Sequence, residues 1–162
     1  RGGGGGVRSI NRRLLEKEIL SNGARNIHTM NNKRRRALFD HLAETTTSRF
    51  SICPSGLGMD TYRLWETLML GSIPIVESNA GFDRTYASLP VLIVRNYTDV
   101  NAALLERAYP CFVKHAKANH FKYEHLTQDY WIQLIQTALD TGNVEHIRRE
   151  HPPRHKYCDF LV

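Results

Sequence analysis

Short apolar runs alternate with an amphipathic segment through the middle of the chain. Three runs bounded by glycine, serine or proline predict β-strands at 49–53, 72–77 and 90–94. The last run, PVLIV, is continuously apolar, as expected for a parallel strand covered on both faces. Segment 60–70 has apolar residues at helical spacing and predicts a helix closed by Gly71. The alternation predicts an α/β fold: a Rossmann-like parallel sheet with helices on both faces.

Helical patterns flank this core on both sides. Segment 33–44 predicts a helix with one apolar face, which the following run TTTS ends. The apolar face consists of Ala37, Leu38, Phe39 and Leu42. Thr98 is expected to cap a helix that extends to about Ala108. Thr127 is expected to cap a longer helix that ends near Leu139, with a glycine just beyond it.

The two ends of the chain differ in composition from its middle. Residues 1–31, which begin RGGGGGVRS, are expected to form a flexible or partial N-terminal segment with a short helix at 12–23. The folded domain is expected to span residues 32–142. Residues 143–162, which include HIRREHPPRH, are expected to form an irregular basic tail.

Composition narrows the function classes only slightly. No stretch approaches the roughly 20 apolar residues that a bilayer-spanning helix needs. The formal net charge of +6 favours acidic partners such as phosphate-bearing molecules, without choosing among them. The cysteines Cys53, Cys111 and Cys158 lack C-x-x-C spacing, which argues against a zinc site. The sequence does not decide whether Cys111 and Cys158 form a disulfide.

Two other patterns have simple explanations. The histidines at 115, 120 and 125 are spaced by five, so they do not share a helical face and are expected to be scattered on the surface. Residues 96–98, Asn-Tyr-Thr, form an N-glycosylation sequon. One such motif is expected by chance in this composition, and a helix cap at Thr98 explains it equally well.

The loop PSGLG at 54–58 joins the first predicted strand to the following helix. Ligands of open parallel sheets bind beyond the carboxyl ends of the strands, and Gly56 and Gly58 would let the backbone approach one closely. The free N–H groups and the dipole of the helix start favour an anion at the same place. By itself this pattern is a weak signal for a phosphate site, because an ordinary glycine-rich turn is the more common explanation.

The helix after this loop contains Asp60, Arg63 and Glu66 at three-residue steps. The planar guanidinium of Arg63 suits a diphosphate held at the helix start. Glu66 lies one turn deeper, where a carboxylate could accept both hydroxyls of a ribose. The alternative is a surface ladder of ion pairs, worth about 0.3–0.5 kcal/mol each. Asp60 favours this alternative, because it is a good helix N-cap and would repel a phosphate.

The stretch DTYRLWETLMLGSIPIV, followed by LPVLIV, resembles the C-terminal half of exostosin-like glycosyltransferases. The family pattern is a small hydroxyl residue, an arginine two positions on, an acidic residue three further, and a Gly-x-Ile-Pro turn into a strand. These correspond to Thr61, Arg63, Glu66 and residues 71–75 here. With NKRRRALFDHL upstream and LTQDYWIQLI downstream, the resemblance covers residues 32–140.

The resemblance implies the C-terminal, donor-binding lobe of a two-lobed GT-B fold. Arg63 would bind the diphosphate of a nucleotide sugar and Glu66 its ribose. The other implied substrate-binding positions are Ser55, Gly56, Gly58 and Thr61. No cofactor or metal is implied, because protein cations stabilise the leaving nucleoside diphosphate. Gly58 also stands where retaining relatives have the first of two glutamates, which favours an inverting reaction.

The implied partners are a nucleotide-sugar donor and a glycan or glycoprotein acceptor, with no nucleic acid. The implied location is the Golgi or another secretory-pathway membrane, reached through an N-terminal anchor that this chain lacks. We expect the complete enzyme to have a second lobe that supplies the general base, so the catalytic residues are unassigned. Glu77, Asn79 and Asp83 follow the next strand; they could touch the donor sugar, but ordinary loop roles are favoured.

Two other functions are left open by the sequence. The chain could be a non-catalytic fragment that only binds nucleotide sugars. It could also be a basic RNA-binding module, given RGG at the start and KRRR at 33–36, although aromatic residues are not interleaved with these basic runs.

Overall fold

A four-stranded parallel sheet, with strand order β1-β2-β3-β4, forms the centre of the domain. The computed structural model describes residues 27–28, 38–56, 58, 60–145 and 157–160. The strands are β1 Ile27–His28, β2 Phe50–Ile52, β3 Ile73–Glu77 and β4 Leu92–Val94. All three predicted strands are confirmed, each slightly shorter than predicted. β1 was not predicted; it pairs with β2 in the register Ile27↔Phe50.

The described segments contain five α-helices and two short 3₁₀ turns. The helices are α1 Leu38–Thr47, α2 Tyr62–Met69, α3 Asp83–Tyr86, α4 Ala102–Lys117 and α5 Gln128–Thr141. The 3₁₀ turns are Tyr97–Asp99 and Tyr123–Leu126. The predicted α5 is confirmed, with Thr127 accepting from the backbone N–H of Tyr130 and a left-handed Gly142 closing the helix. The predicted helix at 12–23 lies outside the described residues.

Side chains that alternate along each strand supply two hydrophobic clusters, one on each face of the sheet. On one face, Ile75 and Leu92 pack with residues of α4 such as Phe112. On the other face, Val76 and Ile93 pack with residues of α2 and α3. Both faces are therefore covered by helices, and the α/β, Rossmann-like prediction is confirmed. None of the helices in the described segments is long and apolar enough to cross a lipid bilayer.

Helix α1 differs from its prediction in two ways. It continues through the threonine run to Thr47, because these hydroxyls bond back to carbonyls in the preceding turn; Thr45 Oγ1 donates to His41 O at 2.9 Å. The predicted apolar face is also wrong, since Leu38 is 62% exposed and Phe39 81% exposed. Among the described α1 residues, Thr45 is buried instead.

The prediction that Thr98 caps a helix through Ala108 is wrong. Asn96 instead caps a 3₁₀ turn, and α4 begins at Ala102 with Asn101 as its cap. The Asn101 side chain accepts from the backbone N–H of Leu104 at 2.9 Å. The helix then continues past Pro110, where the buried Phe112 ties its second half to the core.

The second half of α4 is also connected to the C-terminal segment 157–160. Cys111 and Cys158 form a disulfide with their Cα atoms 6.1 Å apart, which settles the pairing that the sequence left open. The prediction that three histidines are scattered on the surface is wrong for His125, which is 1% exposed and stacks on Tyr130. The other two lie nearer the surface but are not scattered. His115 and His120 contact each other through their Nδ1 atoms at 2.7 Å and both stack on Tyr157, because the chain folds back after α4.

Candidate functional site at the carboxyl edge of the sheet

Strands β2, β3 and β4 are parallel, so the loops that follow them leave from the same edge of the sheet. The first of these loops contains the predicted phosphate-binding residues. Cys53 extends the end of β2, with its N–H donating to Ile75 O at 2.9 Å. Of the predicted positions, Gly56 and Gly58 are exposed, whereas Ser55, Thr61, Arg63 and Glu66 are partly buried.

The two glycines of the loop are not required by its own conformation. Neither has a positive φ, and a Cβ built on Gly58 would meet Asp60 O at an ordinary 3.5 Å. A Cβ on Gly56 would come no closer than 4.0 Å to Thr61. The folded loop therefore has room for a side chain at both positions, and a close approach to a ligand stays a prediction for them.

Helix α2 presents an open N-terminus toward this loop. Thr61 takes the N-cap position with extended backbone angles, φ −128° and ψ 141°. Among the described residues, its side chain makes no capping hydrogen bond. The N–H of Leu64 donates to Thr61 O at 3.0 Å. The N–H groups of Tyr62 and Arg63 precede the first such bond and, among the described residues, are the ones that can serve an anion.

Arg63 and Glu66 lie on the margin of α2, beside its buried face of Leu64 and Leu68. Nε of Arg63 and Oε2 of Glu66 are both inaccessible to solvent. Within the part of the chain that the structure describes, neither atom has a hydrogen-bond partner. Since most buried polar side-chain atoms in proteins are hydrogen-bonded, two such atoms one helical turn apart indicate an incomplete polar site.

The electrostatics of Cys53 place this pair near the end of β2. Burial raises the pKa of the Cys53 thiol to about 11. A hydrogen bond with Thr67 and the positive charge of Arg63 act in the opposite direction, whereas the negative charge of Glu66 adds to the increase in pKa. Both side chains therefore influence the thiol of Cys53 at the carboxyl edge of the sheet, where the sequence predicts a ligand.

Among the described residues, Asp60 makes no ion pair of the predicted charge ladder, and Thr61 takes the N-cap position instead. Its carboxylate accepts from Trp65 Nε1 at 3.0 and 3.1 Å and from the Tyr86 hydroxyl at 3.0 Å. Asp60 therefore ties the loop to α2 and α3. Its negative charge also adds to the effect of burial in raising the pKa of Tyr86.

The loop after β3 contrasts with the loop after β2, because its polar side chains bond to the protein. Asp83 accepts from Ser78 Oγ at 2.6 Å and from Asn79 N at 2.7 Å. Asn79 Oδ1 accepts from Gly81 N at 2.9 Å, and Glu77 Oε1 accepts from Tyr97 N at 3.1 Å. These contacts favour the loop roles over contact with a donor sugar.

Two tyrosines at this edge were missed by sequence reasoning. Tyr62, in the first turn of α2, is 70% exposed, and Arg63 Cζ lies 5.9 Å from its ring centroid. Its place beside Arg63 was a signal for a candidate contact with a planar ligand group. Tyr97 is buried and donates from its hydroxyl to Cys53 O at 3.2 Å, which supports the end of β2 from β4. The sequence gives no signal for that contact between distant residues.

Two cavities lie outside this edge loop. One of about 310 Å³ is at the opposite edge, between Arg49, Ser72 and Pro90 among others. The other, of about 460 Å³, lies beyond β4 and is lined by residues that include Arg95 and Arg107. Among the described residues, one cluster of metal-ligand types occurs, Cys111, His115 and Cys158, and the disulfide uses both of its sulfur atoms.

Comparison with known proteins identifies the family. A search of curated proteins found no significant match. A family model described as the RXYLT1 C-terminal domain matches residues 7–108, more than half of the chain and the whole of the loop–α2 site. The glycosyltransferase expectation is therefore correct, whereas the finer assignment to the exostosin-like family is not supported. The chain belongs to the RXYLT1 C-terminal domain family, a domain of a glycosyltransferase.

Proposed function

We propose that this chain is the donor-binding lobe of a GT-B glycosyltransferase. The reaction transfers a sugar from a nucleotide diphosphate sugar to a glycan or glycoprotein acceptor, with inversion. The observation that supports it best is the pair of buried polar atoms, Nε of Arg63 and Oε2 of Glu66, that lack hydrogen-bond partners in the described protein. A nucleoside diphosphate offers an anionic group and a diol that match these two atoms.

In this proposal the diphosphate lies at the N-terminus of α2, where the helix dipole and free N–H groups favour an anion. Arg63, in the first turn, donates to the phosphate oxygens, and Ser55, Gly56, Gly58 and Thr61 line the loop around them. Each hydrogen bond to a charged group is worth about 1.5–3 kcal/mol. Positive charge at this position also stabilises the nucleoside diphosphate as it leaves.

Glu66 lies one turn further along α2 and accepts hydrogen bonds from the ribose hydroxyls. This distance along the helix, about 4.5 Å for three residues, is comparable to the separation of the ribose from the nearer phosphate. The two side chains therefore grip adjacent parts of one ligand. The second lobe of the complete enzyme closes the cleft over this edge and supplies the general base.

The family name also suggests which substrates to try first. It refers to a ribitol xylosyltransferase, so xylose is the first donor sugar to test and a ribitol-bearing glycan the first acceptor. The Cys111–Cys158 disulfide fits a protein of the secretory pathway, since such bonds persist in oxidising compartments. A Golgi location agrees with both points.

A binding experiment on the whole 162-residue chain tests the proposal. Calorimetry with UDP, GDP and UDP-xylose identifies the preferred nucleotide, and the 2′-deoxy form of that nucleotide isolates the ribose contact. We expect the wild-type protein to bind the ribonucleotide about tenfold or more tightly than its deoxy form, a difference of about 1.4 kcal/mol. In Glu66→Ala this preference disappears, because the acceptor of the 2′-hydroxyl is gone.

The matched control is Arg107→Ala, which removes an exposed positive charge from the opposite face of the sheet. It should retain the preference for ribose. If wild-type protein and Glu66→Ala show the same preference for the ribonucleotide over its deoxy form, the assignment of Glu66 to the ribose is wrong. RNA binding that weakens with salt but survives Arg63→Ala and Glu66→Ala would support the RNA-binding alternative, whose basic run at 33–36 lies outside the described residues. Binding without sugar transfer by the complete enzyme would support the non-catalytic alternative.

A further inference from the structure

Asn96 lies in an exposed turn immediately beyond β4, at the same edge of the sheet as the loop after β2 but two strands from it. With Tyr97 and Thr98 it forms the single N-glycosylation sequon of the chain. Asn96 and Thr98 are both exposed, whereas the residue between them, Tyr97, is buried. The two side chains that define an acceptor sequon thus face solvent together, while Tyr97 anchors the turn to the core.

The hydrogen bonds of the turn leave the reactive atom of Asn96 available. Asn96 Oδ1 accepts from Thr98 N and from Thr98 Oγ1, both at 3.0 Å. The Asp99 carboxylate accepts from the backbone N–H of Asn96 at 3.0 Å and completes a capping box. Each bond described for the Asn96 side chain uses its oxygen, whereas a glycan would be attached to Nδ2. The modified residue can therefore keep the same cap.

The disulfide supplies independent evidence for the compartment. Cys111 and Cys158 are bonded in the folded domain, and bonds of this kind form where secreted proteins fold. N-glycosylation takes place in that environment. A chain that folds there exposes its sequon to the enzyme that transfers the oligosaccharide.

We propose that Asn96 carries an N-linked glycan. Its Nδ2 displaces the diphosphate of a lipid-linked oligosaccharide: a bond forms between Nδ2 and the first sugar carbon, the bond from that carbon to the phosphate oxygen breaks, and the amide proton leaves with the lipid diphosphate. The proposal rests on the secretory location in the proposed function, but not on donor binding.

The position of the glycan has a consequence for the surface around the donor site. β2 and β4 are separated by β3, so their ends lie about 10 Å apart at the usual strand spacing. The glycan projects from the rim of the same edge, beside the 460 Å³ cavity that Arg95 and Asp99 help to line. It restricts the approach of large molecules from the β4 side.

Translation of the full chain behind a cleavable signal peptide, with microsomes from the endoplasmic reticulum, tests the proposal. Wild-type protein that is protected from external protease should gain the mass of one glycan, which peptide N-glycosidase removes. Thr98→Ser should keep this gain, and Thr98→Ala should lose it. Asn96→Asp should also lose it, although the carboxylate can still cap the turn. Asn101→Asp is the matched control at a cap outside the sequon, and it should be glycosylated.

The outcomes separate the two proposals. Protease-protected wild-type protein that has formed its disulfide but gains no glycan would overturn the modification, as would a gain that persists in Asn96→Asp. Calorimetry with the nucleotide on the deglycosylated chain then tests donor binding by itself. A wild-type chain that is glycosylated but, after deglycosylation, binds no nucleotide would contradict the donor site and leave the glycan proposal intact.

Discussion

The segments that follow β2 and β3 leave the same edge of the sheet, yet their polar side chains differ in hydrogen bonding. After β3, the side chains of Glu77, Asn79 and Asp83 accept hydrogen bonds from the surrounding backbone. After β2, Arg63 and Glu66 keep one buried polar atom each without a partner among the described residues. Because an unpaired buried polar group costs about 1–3 kcal/mol, the second arrangement is hard to explain by stability.

The difference separates structural polar residues from candidate binding residues at the same edge of the sheet. A loop whose polar groups bond to one another holds its own shape and gains little from a ligand. Donors and acceptors that have no partner in the described protein, like those on α2, can instead form their hydrogen bonds with a ligand. The following predictions test this distinction, beginning with the largest expected effect.

Arg63→Ala should have a large effect on ligand affinity and a small effect on folding. Loss of one or two charged hydrogen bonds should weaken nucleoside diphosphate binding roughly 10- to 100-fold. The free energy of unfolding should change by less than about 0.5 kcal/mol, because Nε makes no hydrogen bond in the described protein. Calorimetry and urea denaturation measure the two quantities. If the variant is destabilised but binds the nucleotide with unchanged affinity, Arg63 has a structural role and not a binding role.

Asp83→Ala should show the opposite pattern. It leaves the Ser78 hydroxyl and the Asn79 N–H without their carboxylate acceptor, at a cost of about 2 kcal/mol in unfolding free energy. Nucleotide affinity should change less than about threefold, equivalent to about 0.7 kcal/mol. Asp83→Asn keeps one side-chain oxygen, so its unfolding free energy should lie between those of the wild-type protein and Asp83→Ala. A tenfold loss of affinity in a stably folded Asp83→Asn would show that this loop also contacts the ligand.

Asp60→Ala tests the residue that connects the loop after β2 to α2 and α3. Because Asp60 is exposed and water can replace part of its role, we expect a loss of about 1 kcal/mol in stability. Burial is the main reason that the pKa of Tyr86 is raised, and the charge of Asp60 is the next. The pKa of Tyr86 should therefore fall in the variant but stay above its ordinary value. Ultraviolet titration of the tyrosines follows this change, and an unaltered Tyr86 would show that the contact is unimportant.

The sequence predicted the parts of the fold that depend on local pattern. The apolar run in β4 and the cap pair Thr127 and Gly142 were correct, because strand burial and helix ends depend on neighbouring residues. The cap before α4 was wrong because Asn96, Thr98 and Asn101 are all acceptable caps. Choosing among them requires knowing where the helix docks.

Contacts between distant residues were the part that the sequence could not predict. The Asp60 carboxylate meets a hydroxyl 26 positions away, and the two bonded cysteines are 47 positions apart. The apolar face of α1 failed as a prediction for the same reason, since burial depends on a partner surface. The position of Arg63 and Glu66 at this edge needed no long-range information, because helical spacing and the strand–loop–helix order determine it. Their role in donor binding stays a prediction.

Glu66→Met should produce the smallest change in stability and thus the sharpest test of the contrast. Methionine has a similar length and is apolar, so it removes a buried oxygen that has no hydrogen-bond partner in the described structure. We expect the unfolding free energy to stay the same or rise by about 0.5 kcal/mol, while the preference for ribose over deoxyribose is lost. Asp83→Leu, which removes a bonded carboxylate from the neighbouring loop, is the matched control and should destabilise the fold. If Glu66→Met costs as much stability as Asp83→Leu, then Glu66 has a structural role. The polar side chains after β2 and after β3 would then have the same role.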